Sequence, residues 1–303
     1  MKRTLAIVLL ITVSCSSDYE PKFSGVGAFT HPPRTLVLQV MGGEESRTTL
    51  PGGESIGYRF AQWTKAGEEL LVVQTRSGGE DCSDYQILTI DTEGAILDTV
   101  YQAPTATPLN FNLAPNDSLI MLKTYDSDCR DWSTNFIYTF YNRHLKTALP
   151  DTIKVGNTLG LLLDETLWSP DSRKVIIPQW SGPQVKAFVY DLATKDSTYI
   201  DKGSNFIWSP TDNNIVSYIK DYSIYTKNIV TGETELLYEG KKKKGANRFR
   251  WSPQGDYLRI HVRSYMLNVE APMTQRTVVV YLSLPDKKES RTFLDDQHID
   301  TWR

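Results

Sequence analysis

Short apolar runs, rich in β-branched and aromatic residues and separated by polar turns, follow one another along most of this 303-residue chain. YQILTID at Tyr85, NFIYTFY at Asn135, VKAFVYD at Val185, YSIYTKN at Tyr222 and RTVVVYLS at Arg276 all read as strands. Each follows a stretch opened by a common motif. Trp168 begins WSPDSRKVII, Trp208 begins WSPTDNNIVSYI and Trp251 begins WSPQGDYLRIHV, so the motif returns after 40 and then 43 residues. Weaker copies begin at Trp63 (WTKAGEELLVVQT) and Leu113 (LAPNDSLIMLKT), and the chain stops at Trp302, where a further copy would open. A second strand-like run closes most periods, as in AILDTVY, LKTALPD, DSTYI, ETELLYE and SRTFL. Each period therefore predicts about four short strands.

A four-stranded sheet repeated six times predicts an all-β fold: a six-bladed β-propeller of four-stranded antiparallel blades over residues 23–303. In Ser-Pro-Asp-Ser and Ser-Pro-Gln-Gly, proline occupies the second turn position, where its fixed φ suits the turn. The preceding Trp ends the innermost strand, and its expected role is packing between blades rather than ligand contact. The last strand, near His298 to Trp302, lacks the three strands that follow it elsewhere. Phe23 to Phe29, Thr35 to Met41 and Arg47 to Leu50 supply three, so the ring is expected to close by pairing the N-terminal strands with the C-terminal strand.

These motifs resemble the TolB-type and WD-like propeller repeat, in which a tryptophan and Ser-Pro-Asp-Gly precede an apolar strand. The resemblance covers most of the chain and implies a protein that works by contact with other proteins.

The first residues read differently. Lys2 and Arg3 precede the apolar run Leu5 to Val13, and Ser14, Cys15, Ser16 and Ser17 follow, which predicts a signal peptide over 1–14. That run is too short to span a bilayer, as is every later one. The TVSC sequence resembles a bacterial lipoprotein signal, although Thr12 stands where leucine is usual. The resemblance implies acylation of Cys15, a lipid-anchored tether over 15–22 and attachment to the membrane through the N-terminal lipid only. The expected location is the bacterial cell envelope, on the periplasmic or surface side of an outer membrane. SSDYE behind the cysteine resembles a surface-export signal.

Net charge is −3, with both signs interspersed, so no basic face exists to suit a nucleic acid. Function is expected in the long loops on one face of the disc: RSGGEDCSD, YDSDCRDWS, QWSGP and RSYMLNVEAPMTQ, with PGGESIG, QAPTATP, DTIKVGNTLG and EGKKKKGAN. Cys82 and Cys129 fall in matching loops of consecutive periods, and in an oxidising compartment they are expected to form a disulfide. In the chain-entropy description such a bridge stabilises by about 4 kcal/mol. Asp81, Asp84, Asp126, Asp128 and Asp131 stand around it and could gather calcium, but the stronger reading is solvated turn residues, with no metal and no cofactor. Lys241 to Lys244 read as a solvated run. Trp132, Trp180 and Tyr265, with Asp81, Asp84, Asp128 and Asp131, form the expected binding set on the loop face.

No Gly-x-Ser-x-Gly elbow, phosphate-binding glycine loop or His-Glu-x-x-His helix occurs. The favoured expectation is a monomeric, non-catalytic binding or scaffolding propeller that meets an envelope protein or carbohydrate. Two alternatives stay open: a channel-centred lyase or hydrolase using His261 or His298, and a small-ligand sensor using inner-strand positions near Tyr58, Phe111, Asn205 and Arg248.

Overall fold

The computed structural model describes residues 25–31, 35–41, 47–50, 56–77, 83–103, 109–125, 136–155, 167–180, 185–241, 244–266 and 274–293. All regular structure among them is β, and none of it is a helix able to cross a membrane. The chain divides into two compact units, 1–163 and 164–303.

In the first unit, β1 (Gly25–His31), β2 (Thr35–Met41) and β3 (Arg47–Leu50) form a three-stranded antiparallel sheet. These are the N-terminal strands expected from the sequence, the first shifted by two residues. Next come β4 (Ile56–Trp63), β5 (Glu69–Ser77), β6 (Ser83–Asp91) and β7 (Ile96–Gln102) in one sheet. A further sheet holds β8 (Leu109–Leu113), β9 (Leu119–Tyr125), β10 (Phe136–Asn142) and β11 (Thr147–Val155). Leu71, Val73 and Ile87 of the former pack on Phe111, Leu113, Ile120 and Leu122 of the latter, because apolar residues at alternate positions share a face.

The second unit opens with β12 (Lys174–Trp180), β13 (Val185–Asp191), β14 (Ser197–Trp208), β15 (Ile215–Lys220), β16 (Ser223–Asn228) and β17 (Thr234–Tyr238) in one six-stranded sheet. The last sheet is β18 (Lys244–Trp251), β19 (Tyr257–Met266), β20 (Thr274–Ser283) and β21 (Glu289–Phe293). Phe249, Leu258, Ile260 and Val280 of this sheet pack with Ile207, Ile219 and Ile224.

Six separate four-stranded blades are not what these sheets give. Among the described residues, four sheets have four or more strands and one has three. The cause is β14, which runs twelve residues without a break. Ser197 to Gly203 pair with β13 and Ser204 to Trp208 pair with β15, so two sequence periods join in one sheet. Trp168 keeps only an isolated bridge to Val175. The expected pairing at the C-terminus involves 294–303, outside the described residues.

The repeat itself is written in the turns. Thr64, Ala114, Ser169 and Ser252 each donate their backbone N–H to the carbonyl five residues on, at 2.8–2.9 Å. Each also accepts, on its own carbonyl, the N–H three residues on: Gly67, Asp117, Ser172 and Gly255, all at positive φ. Where serine opens the turn, its hydroxyl adds a bond, to Asp171 at 2.6 Å from Ser169 and to Asp256 at 2.6 Å from Ser252. The weak copies at Trp63 and Leu113 thus close the same turn as the strong ones at Trp168 and Trp251, whereas the copy at Trp208 is one residue longer, with Ser209 N–H bonding the Ile215 carbonyl at 2.9 Å. Neighbouring periods are then tied together. The Asp117 carboxylate accepts the Lys65 N–H at 2.9 Å, the Trp208 indole donates to the Leu167 carbonyl at 2.9 Å, and the Trp251 indole donates to Ser217 at 3.1 Å. Trp168 and Trp208 are buried. These rings pack and bridge, as blade-packing residues should.

Candidate functional site

Because each sheet runs in chain order with antiparallel neighbours, its successive connections alternate between two ends. The Ser-Pro turns occupy one end. In each sheet the second-to-third connection lies at the other end, and the described residues expected to bind each stand at that end of their own sheet. Trp180 ends β12 opposite Val185, and Tyr265 lies on β19 opposite Gln275, one residue from the strand's end. Asp84 lies on β6 opposite Arg76 and is exposed. Asp81, Asp126, Asp128, Asp131, Trp132, Cys82, Cys129, Cys15 and His298 lie outside the described residues. Among the described residues, no three His, Cys, Asp or Glu side chains come together to hold a metal ion.

Sequence reading missed the polar groups seated beneath these strand ends. In the first unit, buried Gln74 donates to the Tyr58 hydroxyl at 3.1 Å and accepts from Arg76 at 3.1 Å and from Gln86. In the adjoining sheet Lys123 on β9 stands directly opposite Tyr138 on β10, so the two share a face. Lys123 is 7% exposed and Tyr138 fully buried. Burial lowers the lysine to about 8 and raises the tyrosine. The Tyr138 hydroxyl has no hydrogen-bond partner among the described residues.

In the second unit, Asp201 lies just before β14 changes partner. It accepts a hydrogen bond from the Tyr218 hydroxyl at 2.9 Å and from Lys220 at 2.9 Å. Burial opposes its charge, but the bonds from Lys220, the Lys202 backbone and Tyr218 outweigh burial and hold the carboxyl below its usual range. Tyr218 is raised by burial and by Asp201, and its ring stacks on Phe206 and Tyr225 at 5.5 and 5.9 Å.

The last sheet carries a cationic face. Arg248 stands opposite His261, and Arg250 opposite Arg259, while Tyr281 is opposite Arg259 on the next strand. These residues share the face turned away from Phe249 and Ile260. Burial first, then Arg259, Arg248 and Arg250, lowers His261 to about 4, so its imidazole is neutral at neutral pH. His261 was visible in the sequence as a repeat-aligned histidine. The arginines at alternate positions were visible too, but nothing there marked the pairing.

No family model matches the sequence, and no curated protein does. Solved structures do resemble the fold. TolB from Acinetobacter baumannii is 13% identical with a TM-score of 0.49, covering 89% of this chain and 63% of its own, so the chain spans less than two thirds of its length. A functionally unknown protein from Desulfotomaculum acetoxidans is 14% identical with a TM-score of 0.54, over 90% of this chain and 79% of its own. An oligogalacturonate lyase in complex with manganese is 12% identical with a TM-score of 0.54, over 89% and 73%. Together with the repeated antiparallel sheets, the latter two likenesses place the chain in the all-β propeller class.

Proposed function

We propose that this chain is an envelope-tethered, six-bladed binding propeller whose second-to-third strand connections meet a protein or carbohydrate. In this reading the six-stranded sheet is two blades fused through β14, and 294–303 complete the blade of β1, β2 and β3. The Cys15 lipid holds the domain at a membrane, and Cys82 joins Cys129 across two neighbouring connections. The observation that carries the reading is the asymmetry between the two ends of the sheets. One end carries the same turn four times, with the same two backbone hydrogen bonds at Thr64, Ala114, Ser169 and Ser252. The other carries the variable connections, above buried polar networks that fix the strand ends. Photo-crosslinking amino acids at Asp84, Trp180 and Tyr265, against controls at Asp212 and Gln254 in the turns, test it in cells. A discrete adduct from the first set alone is expected, and adducts from the turn positions alone would reject the assignment.

A second reading draws support from the cationic face of the last sheet. Lyase chemistry on an acidic sugar needs a neutral base to take a proton beside a carboxylate, and cations to hold the charge that develops. His261 among Arg248, Arg250 and Arg259 offers both. Release of an unsaturated product from polygalacturonate, followed at 235 nm and abolished in His261→Ala, would replace the binding reading by this one.

A further inference from the structure

Along β5, Leu70, Val72, Gln74 and Arg76 alternate onto one face of their sheet, and β6 sets Ile90, Leu88, Gln86 and Asp84 opposite them. The half nearer the turn after Trp63 is apolar, where Leu70, Val72, Leu88 and Ile90 form a core with Tyr58. Toward the second-to-third connection the same face turns polar. Register carries the change across all four strands, since Tyr58 stands opposite Gln74 and Gln102 opposite Gln86. Gln74 is 3% exposed, whereas Gln86 is half-buried and Arg76, Asp84 and Gln102 are exposed. Planar polar groups thus run from a buried hub out to solvent.

The hub fixes the polarity of the row. The Arg76 Nε–H only donates, so the Gln74 atom that it meets at 3.1 Å is the carbonyl oxygen, and Gln86 donates to that same oxygen. The Gln74 amide nitrogen is left for the Tyr58 hydroxyl, at 3.1 Å. Gln86, its nitrogen committed to the hub, keeps an unspent carbonyl oxygen. Arg76 has spent only its Nε–H, and both terminal nitrogens remain. Asp84 and Gln102 form no hydrogen bond or ion pair among the described residues, although Asp84 stands opposite Arg76. Donors and acceptors therefore sit side by side, and the two charges cancel.

We propose that this row binds an uncharged sugar, whose neighbouring ring hydroxyls bridge Arg76, Gln86 and Asp84. A hydroxyl donates and accepts at one atom, and two on adjacent ring carbons match the two-atom edges of amide, carboxylate and guanidinium groups. A ligand with net charge would set a like charge against Arg76 or Asp84. A protein surface fits less well, because its strong contacts need an apolar centre. Among the described residues the exposed large apolar side chains of this sheet are Ile96 and Leu97, at the far end of β7 from Gln102. The hub orders Arg76 and Gln86 before binding, so little freedom is lost there. This rests on the binding-propeller reading and names its ligand class.

The test is titration calorimetry on the full mature chain. Maltohexaose, cellohexaose and mannohexaose are the neutral probes, hexagalacturonate is the charged one, and tetraglycine offers main-chain donors and acceptors without hydroxyls. At least one neutral hexasaccharide is expected to bind, and hexagalacturonate and tetraglycine are expected to bind about tenfold more weakly or less. Arg76→Lys keeps the charge and removes the planar edge, and Asp84→Asn keeps the size and removes the charge. Each should weaken the neutral sugar about tenfold, or about 1.4 kcal/mol. Asp84→Asn should melt with the wild type, since its carboxylate has no partner to lose among the described residues. It should also narrow the gap between the neutral and the charged sugar, because Arg76 then stands without its counter-charge. Failure of the wild type to bind any neutral hexasaccharide overturns the proposal, as does unchanged affinity in either variant. Tetraglycine binding as tight as the sugars, and lost in Arg76→Lys, assigns the row to a peptide and overturns it too. In all three cases a discrete crosslink from Trp180 or Tyr265 would leave the broader binding reading standing.

Discussion

Replacing Lys123 by methionine keeps most of the side-chain volume and removes a charge that the fold buries at 7% exposure. A lysine lowered from 10.5 to about 8 carries a folded-state penalty on its protonated form. At 1.36 kcal/mol per unit, the penalty is about 3 kcal/mol, less whatever its own polar contact returns. The sign follows from proton uptake. Between about pH 8 and 10.5 the unfolded chain holds the proton and the folded chain does not, so wild-type stability from this group rises with pH across that window. Below pH 8 the penalty is fully present. Urea unfolding of wild type and Lys123→Met at pH 7 and pH 10.5 reads it directly. The variant should be more stable at pH 7, by roughly 1–3 kcal/mol, and that advantage should shrink by a similar amount at the higher pH. Other tyrosines and lysines titrate in this range, but they cancel in the difference. A gap between the two proteins that does not change with pH would refute the reasoning.

Four other outcomes are expected. Asp117→Ala removes both carboxylate contacts to the Lys65 N–H, at 2.9 and 3.0 Å, and leaves alanine at φ 56°, so urea unfolding should show a loss of about 2 kcal/mol. Trp208→Phe removes the indole bond to the buried Leu167 carbonyl, which keeps the Ile176 N–H at 2.7 Å, so the same assay should show a loss of about 1 kcal/mol. His261, lowered to about 4, should make the protein lose stability as pH falls from about 6.5 to 4, and His261→Leu should flatten that slope in pH-dependent thermal melts. Mass analysis of the alkylated native protein should find Cys82 and Cys129 protected as a disulfide, and two alkylated thiols would remove that bridge.

Much of the fold was legible because turn chemistry and strand patterning agree in this chain. Trp-Ser-Pro at 168, 208 and 251 announced the period. Thr64 and Ala114, which lack that signature, close the same turn because its essentials are backbone bonds and one left-handed residue, supplied by Gly67 and Asp117. What the sequence hid was continuity: nothing in STYIDKGSNFIW shows that a single strand serves two partners. The loop-rich end was legible from loop length, and Trp180 and Tyr265 do lie at strand ends there. The groups beneath were not, because register brings them together. Asp201 meets Tyr218 seventeen positions away, and Lys123 faces Tyr138.

Everything proposed for function rests on each Trp-Ser-Pro period being one blade. An experimental structure of the mature chain tests this most directly. Six four-stranded blades are expected, with β14 bent between two of them and the segment after Phe293 hydrogen-bonded beside the N-terminal strands. A flat six-stranded sheet over residues 174–238, or a C-terminal segment paired elsewhere, would contradict the account.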